Sequence, residues 1–303
     1  MVLVDSVVPL AVNTDLIITQ LFNGIVLGMN YVLIAVGLSL IFGMMNIINF
    51  AHGGLLLLGA YAAYTVTAVT GSFFAALVIA PLLVGVVGAA IERTALRRIY
   101  EEELFLQLLL TFGFAQLLQG LVEFVWGRTD KQIPIPDWGA TSIDFVVFTY
   151  PVFRLFVLGI STAVIVALYL FITRTDMGLI IRASIEDREM VGALGIGISK
   201  IYLAVFGIGC ALAGLAGALI GPIQGVNPAL GFDILVPAFV VVVVGGMGSL
   251  VGSLVSGLLI GLLIALTTLV YPAASNVVIY VFMALVLLVR PGGLFGIEGA
   301  LEA

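Results

Sequence analysis

Long uninterrupted apolar stretches dominate the chain and alternate with short polar ones. Nine apolar segments can be recognised, at approximately residues 16–42, 53–70, 73–92, 104–126, 150–173, 201–221, 234–250, 251–271 and 274–290. A helix needs about 20 apolar residues to cross a bilayer, and continuous runs favour helices over barrel strands, which alternate. The pattern predicts an all-α polytopic membrane protein with about 8–10 transmembrane helices.

Two of the segments are irregular. The first, 16–42, is too long for a simple span, and the seventh, 234–250, is short and rich in glycine. We therefore expect broken or re-entrant segments at these places. No other composition shift divides the chain, so residues 1–303 are predicted to form a single membrane domain, with one long cytoplasmic loop at about 174–200.

Composition supports this class and narrows the chemistry. Of the 303 residues, 62% are hydrophobic and 9% are charged, against about 25% charged in soluble domains. The single cysteine and single histidine exclude an internal disulfide and a Cys- or His-based metal cluster. No P-loop and no H-E-x-x-H motif occurs. The sequence thus predicts a conduit and not an enzyme, with no cofactor, no metal and no nucleic-acid partner.

Charge is distributed unevenly between alternate loops. Loops 93–103 and 174–200 and the end near Arg290 carry most of the lysine and arginine, whereas loop 127–149 is acidic. Basic loops remain on the cytoplasmic side. With nine spans this predicts a multi-pass cell-membrane protein with an external N-terminus and a cytoplasmic C-terminus.

A polar interruption lies between the first two apolar segments. The stretch GMMNIINFAHGGLLLLGAY, residues 43–61, contains Asn46, Asn49, His52 and Gly53. Two interpretations remain open. These residues form a helix break whose freed backbone groups the polar side chains satisfy, or they line a translocation path.

Glycine marks two further features. A second glycine-rich interruption, GGMGSLVG at 245–252, echoes the first weakly, and broken helices in two halves of a transporter often mark its centre. In the segment 201–221, small residues recur at four-residue spacing, as in Cys210, Gly214 and Ala218. Such faces allow close packing of helix backbones.

The fourth segment carries a polar face. Gln116, Gln119 and Glu123 lie at i, i+3 and i+7 and share one side of the predicted helix. Polar groups within spans usually face the bundle interior or a water-filled cavity, so pore lining and interhelical hydrogen bonding are both possible. As an alternative, Glu123 pairs with Arg154 at the outer rim and takes no part in the path.

The loop 174–200 has the signals of a short helix. Ser184 is a candidate N-cap, with Asp187 three residues later. Glu186, Asp187 and Glu189 suit the positive end of the helix dipole, and Gly195 suits the position just past the helix. This amphipathic helix is interpreted either as a docking site for a soluble partner or as a solvated connector.

The stretch GLSLIFGMMNIINFAHGGLLLLGAY, residues 37–61, resembles the signature of branched-chain amino-acid ABC transporter permeases of the LivH type. Further similar stretches follow in the family's order: ERTALRR at 92–98, LLLTFGFA at 108–115, RASIEDREMVGALGI at 182–196, ALAGLAGALIGP at 211–222, AFVVVVVGGMGSLVGSLVSGLLIG at 238–261 and LVRPGGLFG at 288–296. Nearly the whole chain is covered.

The resemblance implies a transmembrane permease domain of an importer that works by alternating access. It also implies a second related permease subunit, two ATP-binding subunits and an extracytoplasmic substrate-binding protein, all at a lipid membrane. The loop helix would be the coupling helix. In the family motif E-A-A-x-x-x-G, Glu189 and Gly195 match, whereas the two alanines are replaced by Met190 and Val191.

Two alternative functions remain. Permeases for urea, short amides or other amino acids share the same glycine-rich signatures, so the substrate stays open. A stand-alone channel or secondary transporter is a different class, and it would need carboxylates or a carbonyl-lined filter within its spans.

Overall fold

The computed structural model describes residues 14–145 and 148–296. Its eleven α-helices within these ranges are α1 Thr14–Met45, α2 Ala51–Thr70, α3 Phe73–Thr94, α4 Leu104–Trp126, α5 Val152–Arg174, α6 Asp176–Glu186, α7 Arg188–Ala193, α8 Ile198–Gln224, α9 Leu230–Gly245, α10 Leu250–Val270 and α11 Ser275–Val289. Two 3₁₀ turns, Leu96–Arg98 and Pro272–Ala274, follow α3 and precede α11.

Eight helical segments in the described part of the chain are long and apolar enough to span a membrane. The remaining predicted segment, the seventh at 234–250, corresponds to α9, which has only 16 residues. The backbone at the start of α9 packs on Gly53, near the beginning of α2. Gly53 lies about 25 Å from the end of α2 at Thr70, so α9 begins deep within the bundle. The prediction of an all-α polytopic protein with a broken segment at this position is confirmed, whereas the first segment, 16–42, is not broken and lies within the continuous helix α1.

Helix α2 is the centre of the bundle, where α8, α3, α4 and α9 surround it. Glycine makes this enclosure possible. A Cβ added to Gly59 would lie 2.5 Å from the Cα of Gly214 in α8, and one added to Gly217 would lie 2.2 Å from the carbonyl oxygen of Leu56. The two backbones are therefore in direct contact, and α2 is buried throughout Ala51–Ala63.

The long helix α1 packs along α10 in the same manner. A Cβ added to Gly261 would lie 2.4 Å from the α-carbon of Gly28, and a Cβ added to Gly28 would lie 2.8 Å from the carbonyl oxygen of Gly257. Without a hydrophobic force between helices in lipid, dispersion contacts of this kind hold them together.

The small-residue face predicted on α8 is confirmed as a packing surface. A Cβ on Gly214 would lie 2.7 Å from Val84 of α3, and one on Gly88 of α3 would lie 2.4 Å from the sulfur of Cys210. Cys210 is fully buried there as a free thiol.

The polypeptide between α4 and α5 covers one end of the bundle. It contains a two-stranded antiparallel sheet, β1 Ser142–Asp144 and β2 Thr149–Pro151, with Ile143 opposite Tyr150. An isolated bridge joins Lys131 to Val226 just after α8. The described part of this loop is therefore bound to the helices.

The glycine contacts predict a specific sensitivity to one methyl group. Gly217→Ala places its Cβ against the backbone of α2 and should lower the thermal unfolding midpoint in detergent, since overpacking costs about 1–3 kcal/mol. Intrinsic fluorescence of the two tryptophans reports the transition.

Gly159→Ala in α5 is the matched control, because nothing lies within 4 Å of its added Cβ. Its midpoint should stay or rise, since alanine favours a helix by up to about 1 kcal/mol over glycine. Equal midpoints for the two variants would contradict the packing argument.

Candidate functional site

The predicted break between the first two spans is present. Helix α1 ends at Met45, residues 46–50 are not helical, and α2 begins at Ala51. Asn46 has a φ of 52°, the only positive φ of a non-glycine residue in the described ranges. Asparagine tolerates this left-handed region better than most residues do, so it can end α1 at low cost.

Three hydrogen bonds hold the residues at the break. The hydroxyl of Thr111 in α4 lies 3.1 Å from the carbonyl oxygen of Ile48, and the amide of Asn46 donates to Phe42 at 2.8 Å. His52 places Nε2 3.2 Å from the carbonyl oxygen of Ile34 in α1. The break is thus fastened to α1 and α4, as a membrane interior requires.

The candidate path residues divide by exposure. Asn49, His52 and Gly53 are fully enclosed, and the amide of Asn49 has no hydrogen-bond partner among the described residues. Asn46 and Gln116, in contrast, are exposed on the subunit, and Gln119 (half-buried) lies between these extremes.

The second glycine-rich interruption meets the first. Gly246 and Gly248 have φ values of 99° and 84°, which only glycine adopts readily. A Cβ on Gly43, near the end of α1, would lie 3.0 Å from the Cα of Gly248. The two interruptions, far apart in sequence, therefore pack against each other.

The chain's C-terminal segment closes the end of α9. The amides of Leu294 and Phe295 donate to the carbonyl oxygens of Val244 and Gly245, at 2.8 and 3.0 Å. These carbonyls belong to the last turn of α9, where a helix has no partners of its own. The stretch LVRPGGLFG thus serves as a backbone cap.

The suggested pair of Glu123 with Arg154 is wrong. Glu123 accepts a salt bridge from Arg128 at 2.8 Å, just beyond the end of α4, and also faces the amide of Gln119 at 3.5 Å. Arg154 instead donates to the side-chain oxygen of Asn23 in α1. Arg128 is much closer to Glu123 along the sequence than Arg154 is, and it forms the ion pair instead.

Sequence reasoning missed an aromatic cluster beside Gln116. Phe50 at the break packs on Phe239 of α9 with centroids 5.2 Å apart, and on Phe112 of α4 at 6.4 Å. Phe112 also faces Phe232 at 6.3 Å. These phenylalanines come from three separate stretches, so no spacing along the chain could have revealed them.

The predicted loop helix exists, but its start was placed wrongly. Ser184 is a buried residue inside α6, an additional helix that Thr175 caps by accepting the amide of Gly178 at 3.1 Å. The N-cap of α7 is Asp187, whose carboxylate accepts the amide of Met190 at 2.9 Å. Thr175 gives an earlier start signal, and Asp187, extended at φ −150°, divides the run in two.

The end of α7 agrees with prediction. Gly195 has a φ of 83°, and its amide donates to Gly192 at 3.0 Å. Val191 packs inward, while Met190 and Leu194 are 59% and 72% exposed. Glu186 and Glu189 are exposed beside them. The α7 helix presents two large apolar side chains within an acidic surround.

A buried cluster missed from sequence joins α7 to the bundle. The hydroxyl of Tyr100 donates to the carboxylate of Glu92, and its ring packs edge-on against Tyr202 of α8. Burial is the main cause of the raised pKa of Tyr100, and the hydrogen bond to Glu92 raises it further. Contact with the Tyr202 hydroxyl is the main cause of the raised pKa of Arg188, the first residue of α7.

Comparison with known proteins fits this geometry. The family model described as the permease component of branched-chain amino acid transport systems matches residues 20–288. The chain belongs to this family. Its match includes the break, the second glycine-rich interruption and the α6–α7 loop.

Curated relatives agree with the family over nearly full length. The chain is 35% identical to the permease protein BraD of Pseudomonas aeruginosa, with 91% of the chain and 95% of the relative covered. It is 32% identical to LivH of Salmonella typhimurium, over 91% and 94%. Both are named high-affinity branched-chain amino acid transport system permease proteins.

Two more distant proteins are also similar to the chain. LivM of Escherichia coli, a second permease protein with the same description, is 28% identical over 74% of the chain and 58% of its own length. Among solved structures, PsaBC from Streptococcus pneumoniae in complex with Fab has a TM-score of 0.47 at 12% identity, covering 91% and 92% of the two chains.

The hydroxyl that fastens the break should contribute measurably to stability. Thr111→Val leaves the Ile48 carbonyl without its partner from α4, and an unsatisfied buried group costs about 1–3 kcal/mol. We expect a lower thermal midpoint and less protein in the monodisperse size-exclusion peak.

Thr162→Val is the control of identical chemistry. Thr162 is exposed on α5, and its hydroxyl donates only within its own helix, to Leu158 at 2.7 Å. Its midpoint should match that of the parent protein. A Thr111→Val midpoint equally unchanged would show that the break does not need this bond.

Proposed function

We propose that the chain is the membrane-spanning permease subunit of an ATP-binding-cassette importer that translocates branched-chain, or other hydrophobic, amino acids. The family match over residues 20–288 carries the proposal. The proposed assembly contains a second related permease subunit, two ATP-binding subunits and an extracytoplasmic substrate-binding protein. Similarity to both LivH and LivM supports two related permeases in one system.

We assign coupling to α7. It is short, capped at both ends, and exposes Met190 and Leu194. In this proposal those side chains enter a groove of an ATP-binding subunit. Nucleotide-driven movement then passes from α7 to α8, against which it packs, and α8 in turn contacts α2 and α3. The spans alternate between outward- and inward-open states as a result.

The same assignment fixes the orientation. α7 and the basic residues of loops 93–103 and 174–200 would face the cytoplasm, as would the end of α11. The hairpin between α4 and α5 would face outward, towards the binding protein. The chain would then lie in the cell membrane with its C-terminal end inside.

We place the translocation path on the face that carries Gln116 and the aromatic cluster. An exposed amide halfway along α4 is poorly suited to lipid, where polar groups are costly. Phe112, one turn before Gln116, and the rings of Phe50 and Phe232 that pack on Phe112 offer surface suited to apolar side chains. A second permease opposite this face would complete the path, while His52 holds the break against α1 from within.

The uptake experiment tests the function and the coupling helix together. In vesicles that contain the chain with its candidate partners, leucine uptake should require both ATP and the binding protein. Asp187→Ala removes the cap of α7, worth about 0.5–2 kcal/mol. Uptake should fall by about fivefold or more, because a six-residue helix has little else to hold it.

Ser184→Ala provides the control, since the Ser184 hydroxyl has no hydrogen-bond partner among the described residues. Its uptake should equal that of the parent protein. Leucine uptake that persists with a hydrolysis-dead ATPase would exclude the importer, and uptake of urea or acetamide in place of leucine would change the substrate.

Thiol labelling tests the path. Gln116→Cys in the assembled complex should react with a charged, membrane-impermeant thiol reagent, because the thiolate forms only in contact with water. Asn49→Cys, in the enclosed break, and Val86→Cys, 70% exposed on the outer side of α3, should not react. The native Cys210 is buried and gives little background. Equal labelling of Gln116→Cys and Val86→Cys would reject the assignment.

A further inference from the structure

A separate polar cavity lies between α1, α5, α8 and α10, away from the α4 face that carries Gln116. Its volume is about 290 Å³, close to the lower limit of about 300 Å³ for small-molecule sites. It therefore suits one small solute. It opens at the end of the bundle where α5 begins and where α8 and α10 end.

One wall of the cavity carries a positive charge with no acidic partner. Arg154 lies in the first turn of α5 and donates to the side-chain oxygen of Asn23, which also accepts the hydroxyl of Tyr150 at 3.0 Å. Within residues 14–145 and 148–296 no salt bridge reaches Arg154. The positive end of the α5 dipole adds to its charge. This wall favours an anion, and a carboxylate matches the guanidinium best.

The deeper end of the cavity offers the opposite chemistry. Asn30 is only 2% exposed; its amide nitrogen donates to Val26 at 2.9 Å, while its oxygen accepts no hydrogen bond. An unsatisfied buried acceptor of this kind is costly. Gln224 and Thr268, in the last turns of α8 and α10, lie at the mouth of the cavity, so the unpartnered oxygen of Asn30 alone marks the deeper end as a place for a hydrogen-bond donor.

The spacing and the remaining walls define the ligand. Asn23 and Asn30 are two helical turns apart, about 10 Å along α1. A small head group that makes one hydrogen bond of about 2.8 Å at each end spans most of this distance. Between the poles the walls are branched and aliphatic, formed by Val26, Leu27, Ile220, Ile223 and Ile264.

We propose that this cavity binds a free α-amino acid with a branched aliphatic side chain, as a zwitterion, with its carboxylate on Arg154 and its ammonium group towards the oxygen of Asn30. The choice of an amino acid over other zwitterions rests on the proposed function. The cavity is a second contact for the transported solute, inside one subunit and apart from the path between subunits.

Direct binding to the full-length chain in lipid nanodiscs, without the binding protein, tests this proposal. The probe is radiolabelled leucine. Two competitors each lack one charge: leucinamide keeps the ammonium group, and 4-methylpentanoate keeps the carboxylate. Against the parent protein, unlabelled leucine should compete at least about tenfold better than either, since a hydrogen bond to a charged group is lost in each case.

The variants should separate the two poles. Arg154→Met should weaken leucine binding by about tenfold or more and leave leucinamide unchanged. Asn30→Leu should weaken leucine and leave 4-methylpentanoate unchanged. Arg154→Lys, which keeps the charge, should retain part of the affinity, and Thr162→Val, outside the cavity, should bind as the parent does.

The outcomes distinguish this proposal from the importer itself. Normal leucine affinity in both Arg154→Met and Asn30→Leu would overturn the cavity site, even where ATP-dependent uptake is intact. Equal competition by leucine and leucinamide on the parent protein would overturn it without any variant. If ATP-dependent uptake failed while leucine still competed better than leucinamide and 4-methylpentanoate for binding, the result would count against the proposed function alone.

Discussion

Backbone-to-backbone contact between helices is the constraint on which this structure depends. At Gly59 and Gly214, and again at Gly28 and Gly261, the helices approach so closely that no side chain fits between them. Lipid gives little force to bring apolar helices together, so dispersion over these flat surfaces must do so. The central position of α2 follows, because only a helix with small residues on several sides can be enclosed by four neighbours.

This close packing makes the helix breaks tolerable. A broken helix exposes amides and carbonyls that cannot be left bare in a membrane. Here each interruption finds partners elsewhere in the fold: Thr111 of α4 reaches Ile48 at the first, and Leu294, beyond the end of α11, reaches Val244 beside the second. Contact between Gly43 and Gly248 brings the two interruptions together. A displacement of one interruption should therefore displace the other.

Much of the architecture could be predicted from local pattern alone. Hydropathy located the spans, and glycine with asparagine located the break at 43–54, because both signals reside in neighbouring residues. Predictions failed where an interaction had competing partners. Ser184 and Thr175 both suit an N-cap, and only the fold decides between them; Glu123 has Arg128 nearer than Arg154. The aromatic cluster draws on the break, α4 and α9, and the polar cavity draws on four helices, which no spacing along one helix encodes.

The enclosure of α2 has a consequence for biosynthesis. The polar break and the bare glycine surface of α2 emerge from the ribosome early, whereas α8, which covers them, is complete only at Gln224. At about 5–20 residues per second, roughly 10–30 s pass between the end of α2 and the end of α8. During that interval Asn49 and His52 lack the neighbours that later bury them. These polar groups need other partners during that time, so insertion and folding of this protein are coupled through a helix that enters early and is enclosed late.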